Sequence, residues 1–269
     1  MADDSRPAAL TGAVMIVVMP SYPFRPQHIY PRHVLCVLGT GLDLDTVGEV
    51  VRAAHAGATF DPADARTAPD PRMPVAFQVS LANATFTDAD VAAVAAHDTV
   101  AYVLSPPIHS VSAWTISGQM LALTAALLRA GATAVKNESS GLTHGRERWL
   151  AIADRAATAP TEDDHVVSLY DAWVKRPISD DDGVLFSCGM HLLGAPEVEI
   201  VDGTLDDVPT IDAFAGYLLL EDPVLHDGEG FRVAVDAPRW TVEHRPCDRY
   251  EEDSFFYNPF GAWRLTRDG

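Results

Sequence analysis

Apolar positions along this chain follow two rhythms, short runs and alternations in some segments and three-to-four spacing in others, and the two take turns through the first 160 residues. Residues 34–38 form an apolar run that ends at Gly39-Thr40-Gly41. Asp45 follows as the expected N-cap, and Leu44, Val47, Val50, Val51 and Ala54 then recur at helical spacing up to a stop at Gly57. After a polar, proline-bearing loop over residues 61–72, the alternation of residues 75–81 predicts a strand that completes a β-α-β unit. A second unit follows. Thr87 and Asp90 have capping-box spacing and predict a helix ending near His97. Residues 99–104 read as a strand, Pro106-Pro107 as a break, and residues 111–130 as a long helix buried on most sides and stopped by Gly131. Residues 133–136 predict another strand, and residues 145–157 an amphipathic helix carrying Trp149, Leu150, Ile152 and Ala153.

The rhythm changes after residue 160. Residues 158–164 (TAPTEDD) read as a linker, and strands are expected at 166–178, 184–188, 196–201, 231–235 and 240–244. In the fourth of these, Phe231, Val233 and Val235 alternate with Arg232, Ala234 and Asp236, as in a sheet with one wet face. One helix, residues 210–221, interrupts them before Pro223, and the chain closes on an aromatic segment, residues 255–265. Together these patterns predict an α+β fold: β-α-β units of ferredoxin-like character with helices on one sheet face, then a strand-rich antiparallel half. Residues 1–160 and 161–269 are expected to pack as one globular unit. A doubly wound parallel sheet is the competing arrangement, and the hairpin-sized gaps of the second half oppose it.

Residues 8–19 are apolar enough to imitate a secretion signal. They follow Asp3 and Asp4 rather than a basic segment and end at Pro20 without a small-residue cleavage site, so a buried strand is expected instead. Residues 111–130 carry Ser112, Thr115, Ser117, Gln119 and Thr124, too polar a set for the roughly 20 predominantly apolar residues of a spanning helix. Cys36, Cys188 and Cys247 are odd in number and widely spaced, which suits a reducing, cytoplasmic setting better than a disulfide framework.

Charge changes the picture most. The formal net charge is −19, and residues 161–269 hold 24 of the 38 acidic side chains but 8 of the 19 basic ones. Such a half repels nucleic acid and anionic membranes and attracts a basic protein partner or divalent cations. A bias of coding or of salt adaptation is the alternative source, since arginine far outnumbers lysine and Asp outnumbers Glu. It would load both halves alike.

Motifs of chemistry are sparse. Gly39-Thr40-Gly41 lacks the third glycine of a dinucleotide turn, because Leu44 occupies its place, so a tight turn is expected there. Cys188-Gly189-Met190-His191 is not matched by a second metal-ligand pair, and Cys188 at an apolar strand end is expected as a buried thiol. No metal or other cofactor is expected. There is no G-x-S-x-G elbow, and Ser117-Gly118 lies within the apolar helix. His97 has the position of a helix C-terminal cap, and Asp180-Asp181-Asp182-Gly183 that of a hairpin turn rather than a cation loop.

Residues 97–104 (HDTVAYVL), 120–141, 187–200 (SCGMHLLGAPEVEI) and 257–265 (YNPFGAWRL) resemble a bacterial family catalogued only as a domain of unknown function. The resemblance spans residues 75–265, and its G-x-x-x-x-G-x-P-E-x-E segment corresponds to Gly189, Gly194, Pro196, Glu197 and Glu199. It implies a fold and a bacterial origin, and no activity. Two functional expectations remain. In the first, a non-catalytic protein of the immunity or antitoxin type binds a basic partner through Asp180, Asp181, Asp182, Glu197, Glu199, Glu251, Glu252 and Asp253. In the second, a hydrolase uses Cys188, His191 and Glu197, or Lys136 and Glu138 beside Trp173 and Lys175.

Overall fold

A computed structural model describes residues 30–268, apart from His55, residues 82–85 and Asp181. The strand expected at residues 8–19 lies outside the described residues. In chain order the first half runs β1 (Val34–Gly39), α1 (Leu44–Ala53), β2 (Thr59–Phe60), α2 (Met73–Gln78), α3 (Asp88–Ala95), β3 (Thr99–Leu104), α4 (Ala113–Arg129), β4 (Ala132–Asn137), β5 (Leu142–Thr143) and α5 (Arg146–Ala157). The second half runs α6 (Glu162–Trp173), β6 (Lys175–Ser179), β7 (Leu185–Cys188), β8 (Glu197–Ile200), α7 (Val208–Glu221), β9 (Gly230–Phe231), β10 (Trp240–Arg245) and β11 (Ala262–Arg267). The α+β class is as expected.

The first sheet has the order β2-β3-β1-β4-β5, with every pair antiparallel. Helices therefore join strands that run the same way with a third strand between them: α1 joins β1 to β2 around β3, and α4 joins β3 to β4 around β1. These are split β-α-β units, and no two strands of this sheet are adjacent and parallel. A full ferredoxin-like sheet is not established, since β2 contributes two residues and the α2–α3 pair is inserted after it. All six residues of β1 are buried because both faces of the sheet are covered, not one. Leu35, Val37, Ala101, Val103 and Val135 face α1, α4, α5 and α6, while Cys36, Leu38, Val100 and Ala134 meet Met73, Phe77 and Val94 of α2 and α3.

The second sheet, β6-β7-β8-β11-β10-β9, is antiparallel except where β8 and β11 run parallel. Leu185, Val198, Ile200, Trp263 and Leu265 turn inward against α6 and α7, in the same apolar cluster as the α4 face of the first sheet. Residues from both sides of position 160 thus share one core. Residues 110–129 are long and apolar enough to cross a membrane by length and composition, but α4 buries ten of its residues at the centre of this core.

Local chemistry explains where the strand and helix patterns misled. Residues 75–81 begin in helix, not strand: Met73 and Phe77, four apart, are buried, while Val75 and Val79 of the apparent alternation are exposed. Residues 166–173 are helical because the supposed linker holds the cap. Thr161 Oγ1 accepts from Asp164 N, three acids fill the first turn, and Val166, Leu169, Tyr170 and Trp173 bury one face. Of the strand expected at 231–235 only Phe231 pairs with a neighbour, alongside Gly230 before it, and Val233 and Val235 are exposed. The N-cap of α1 is Asp43 rather than Asp45, through bonds from Asp45 N and Thr46 N. By contrast, Thr87 and Asp90 form the reciprocal capping box that their spacing predicts.

One glycine fixes the approach of β7 to the core. Gly189 has φ +125°, and a Cβ there would stand 2.3 Å from the Trp173 carbonyl oxygen and 3.1 Å from Ser140 Cβ. Gly189→Ala should therefore lower the unfolding free energy by at least about 2 kcal/mol. Gly228→Ala, at φ +87° with no atom within 4 Å of the added methyl, should cost about 1 kcal/mol. Urea denaturation measures both, and equal effects would contradict the close approach at Gly189.

Candidate functional site

A polar network lies inside the junction of the two halves. His33 Nε2 is 2.8 Å from Ser117 Oγ, and its Nδ1 is 3.1 Å from Asn137 Nδ2. The residue types imitate a nucleophilic triad, but the protons run the wrong way. Ser117 Oγ donates to Leu192 O at 2.7 Å, so His33 must donate to it through Nε2; Asn137 Oδ1 accepts from Ser139 N, which turns its amide N–H toward His33 Nδ1. A base that already donates to its serine cannot take that serine's proton. All three side chains have no solvent exposure, and the His33 ring lies 4.4 Å from that of Trp173. The network is structural: it ties the segment before β1 to α4, to the end of β4 and to the turn after β7.

The accessible site lies on the outer face of the second sheet. Strand alternation puts Phe186, Cys188, Glu197, Glu199 and Arg264 on that face, opposite the inward Leu185, Val198, Ile200 and Leu265. The connection from β10 to β11, residues 246–261, folds over it and encloses a small cleft of about 30 Å³. Cys247, Tyr250, Phe256 and Asn258 close the cleft from the loop side. The Tyr250 and Phe256 rings sit 5.3 Å apart, and Phe256 approaches Gly141 in the β4–β5 turn, which steadies the loop against the first sheet.

Glu197 is the centre of this site. Its Oε1 accepts from Gly189 N (3.0 Å), His191 Nδ1 (3.2 Å) and Asn258 Nδ2 (3.0 Å), and its Oε2 from Ser187 Oγ (2.7 Å). Its side chain is 12% exposed, and among the described residues its ion-pair partner, when that ring is protonated, is His191 rather than an arginine or lysine. Glu199, two residues on, is neutralised twice, by Arg264 Nε at 2.6 Å and by Arg249 at 3.3 Å. Arg249 also pairs with Asp180, and its guanidinium lies 4.0 Å from the centre of the Phe186 ring. The charges of Asp180, Glu199, Arg249 and Arg264 balance.

The thiol in the cleft feels the charge of Glu197. Burial first, and then Glu197, push the Cys188 thiol well above its ordinary pKa, against a smaller opposing pull from Lys175. Burial pushes Tyr250 up to about 12, with Cys188 and Glu197 in the same direction and Arg249 opposing. Cys188 is therefore a protonated thiol at neutral pH.

The expected site residues divide. Asp180 is half-buried, caps the β6–β7 turn by accepting from Asp182 N and Val184 N, and pairs with Arg249. Glu197 and Glu199 belong to the cleft and not to an open acidic face, because their strand positions turn them under the loop. Asp182, Glu251, Glu252 and Asp253 are exposed, and Asp181 lies outside the described residues. Of the alternative set, Cys188 lines the cleft and His191 is fully buried behind it, with Nδ1 held by Glu197 and Nε2 without a hydrogen-bond partner among the described residues. The rest lie elsewhere. Lys136 pairs with Glu138 at 2.8 Å on the first sheet, Trp173 is core and donates to Ser117 O, and Lys175 donates to Val79 O. His97 is structural, donating from Nδ1 to Val94 O and accepting from Asp70 N, and the Gly39–Gly41 turn is held by Asp98, which accepts from Gly41 N. Among the described residues no group of three or more His, Cys, Asp and Glu side chains is placed to hold a metal ion. Sequence reasoning missed His33, Cys247, Arg249, Tyr250, Phe256 and Asn258. The Asn258-Pro259 turn after an aromatic run was the one available signal.

Comparison with protein-family models, with curated proteins and with solved structures finds no match to this chain.

Burial, reinforced by nearby His191, pushes His33 down to about 3, and burial pushes His144 down to about 4, both from an ordinary 6.5. Between those values the unfolded chain binds protons that the folded chain refuses, so this stability is complete above pH 6.5 and falls as the pH drops below it. From pH 7 to pH 5 the two histidines should together remove up to roughly 3–4 kcal/mol. Urea denaturation at pH 7, 6 and 5 checks this, and a flat profile would mean that one or both rings are protonated in the folded state.

Proposed function

We propose that this chain is a non-catalytic interaction protein that docks a basic partner on the acidic rim of the loop over residues 246–261. One observation carries the reading. Every basic side chain after residue 160 is engaged within the chain. Arg176, Arg239, Arg245, Arg249, Arg264 and Arg267 form ion pairs, Arg232 donates to the Val235 and Ala237 carbonyls, and Lys175 donates to Val79 O. Several of their partners, Glu199, Asp207, Asp171 and Asp180, are buried or half-buried carboxylates. The carboxylates left over are on the surface. Asp248, Glu251, Glu252 and Asp253 ride on the loop, with Asp182 and Asp202 on the neighbouring strand ends; all are exposed and, among the described residues, none is in an ion pair. Phe255, 60% exposed, supplies an apolar anchor among them.

Such a surface accelerates encounter with a basic protein and rejects acidic ones. A bacterial immunity or antitoxin protein that covers the nucleic-acid cleft of a nuclease has these requirements, and a cytoplasmic setting suits the three free thiols. The hydrolase reading is less well supported, because Cys188 has neither a low pKa nor a hydrogen bond to His191, which spends its Nδ1 on Glu197.

Fluorescence anisotropy with a labelled nona-arginine peptide tests the reading. Raising NaCl from 50 to 300 mM should weaken binding about tenfold. The triple variant Glu251→Gln, Glu252→Gln, Asp253→Asn should lose about tenfold at low salt, at roughly 0.5 kcal/mol for each exposed charge. No binding at 50 mM, or a triple variant that binds like the wild type, would sink the proposal.

A further inference from the structure

Two of the three cysteines of this chain line the small cleft, and they reach it from opposite sides. Cys188 ends β7 on the sheet floor, and Cys247 belongs to the loop that leaves β10 and folds back over that floor. Although remote in sequence, both border one void of about 30 Å³, room for about two waters at most. Neighbouring residues show the same juxtaposition. Two positions past Cys247, Arg249 sets its guanidinium 4.0 Å from the centre of the Phe186 ring, and Phe186 stands two positions before Cys188 on the same sheet face. The thiols are also close enough to interact through their charges: Cys247 is among the groups that push Cys188 up, and both act on the Tyr250 phenol. Their access to solvent differs, since Cys188 is buried and Cys247 is half-buried. Cys36 is elsewhere, buried on the first sheet against Met73.

We infer that Cys188 and Cys247 are a disulfide-forming pair, a modification site through which hydrogen peroxide locks the loop over residues 246–261 onto β7. Exposure and charge set the order of events. Cys247 meets the oxidant first, while burial and Glu197 keep Cys188 a thiol that is inert until a sulfenic acid stands beside it. In the first step the thiolate sulfur of Cys247 attacks one peroxide oxygen and the O–O bond breaks. The other oxygen leaves as hydroxide and takes up the proton that Cys247 lost, giving water and a sulfenic acid at Cys247. In the second step the sulfur of Cys188 attacks that of Cys247 and the S–O bond breaks. The hydroxyl departs with the proton of Cys188 as a second water. Together the thiols give up two electrons and one peroxide is reduced. The bond requires no partner, so it forms or fails to form independently of the acidic docking surface. It fixes in one position the loop that carries Asp248, Glu251, Glu252 and Asp253.

Treatment of the reduced full chain with hydrogen peroxide, a denaturing quench with N-ethylmaleimide and intact-protein mass spectrometry test the pair. The expected product is a monomer about 2 Da lighter than the reduced chain before labelling, and it takes up one maleimide, at Cys36. A non-reducing digest should join the peptides of Cys188 and Cys247. Amide exchange at residues 248–252 should slow at least about fivefold on oxidation and recover with dithiothreitol. Cys36→Ser should form the bond at the wild-type rate. Cys247→Ser should leave Cys188 reduced, and Cys188→Ser should carry Cys247 on to a sulfinic acid, about 32 Da heavier. Cys247 is the less buried of the pair, so its variant carries the test should the Cys188 variant fail to fold. A wild-type chain whose Cys247 reaches the sulfinic acid with Cys188 still free would overturn the pair. So would a bond to Cys36, a link between two chains, or three thiols left reduced.

Discussion

A buried carboxylate with four donors holds the second half of this protein together. Glu197 gathers donors from four places in the chain: the β7 side chain Ser187, the backbone of Gly189, the His191 ring and the amide of Asn258 in the loop before β11. Four donors of this kind satisfy the lone pairs of a carboxylate. One residue thus has two consequences. Its hydrogen bonds fasten the loop over the sheet and so create the cleft; its charge gives the cleft a negative field, felt by the thiol of Cys188 and the phenol of Tyr250.

A division between paired and unpaired charge runs through the whole acidic half. Arginines are spent where carboxylates are sheltered, at Glu199, Asp207, Asp171 and Asp180, and exposed carboxylates are left uncovered on the loop. Exposed ion pairs contribute little to stability, so pairing the sheltered acids is where arginine matters most. The surface excess that results was not selected by position in sequence. Glu199 and Glu251 look alike as letters, and only the fold decides that one is neutralised within the sheet and the other faces water.

That contrast marks how far the fold and the site were legible. Local signals read well: the capping box of Thr87 and Asp90, the helical spacing of α1, the apolar length of α4 and the Asp-Gly turn at residues 180–183 each predict an element that forms. Errors came where a local signal was overlooked or overruled. Thr161 and Asp164 spell a helix start inside a segment that otherwise reads as linker, and the alternation at residues 75–79 is an accident of a helix that buries only Met73 and Phe77. Of the site, the acidic bias of the second half and the proximity of Cys188, His191 and Glu197 were visible. Their partners were not, because Arg249, Asn258 and Arg264 stand 50 to 65 residues away from the glutamates they meet. Pairings at that distance follow from strand order, and the parallel meeting of β8 with β11 has no local signature.

The hold of Glu197 on the loop is the claim on which fold and site both rest, and hydrogen exchange in an Asn258→Asp variant measures it most directly. A second carboxylate beside Glu197 replaces a donor with a like charge, at an expected cost of about 2–3 kcal/mol. The account predicts that the amides of Phe260 and Gly261 exchange at least tenfold faster at neutral pH, while those of β1 and α4 keep their protection. Unchanged exchange in the loop, or equal loss of protection throughout the chain, would contradict it.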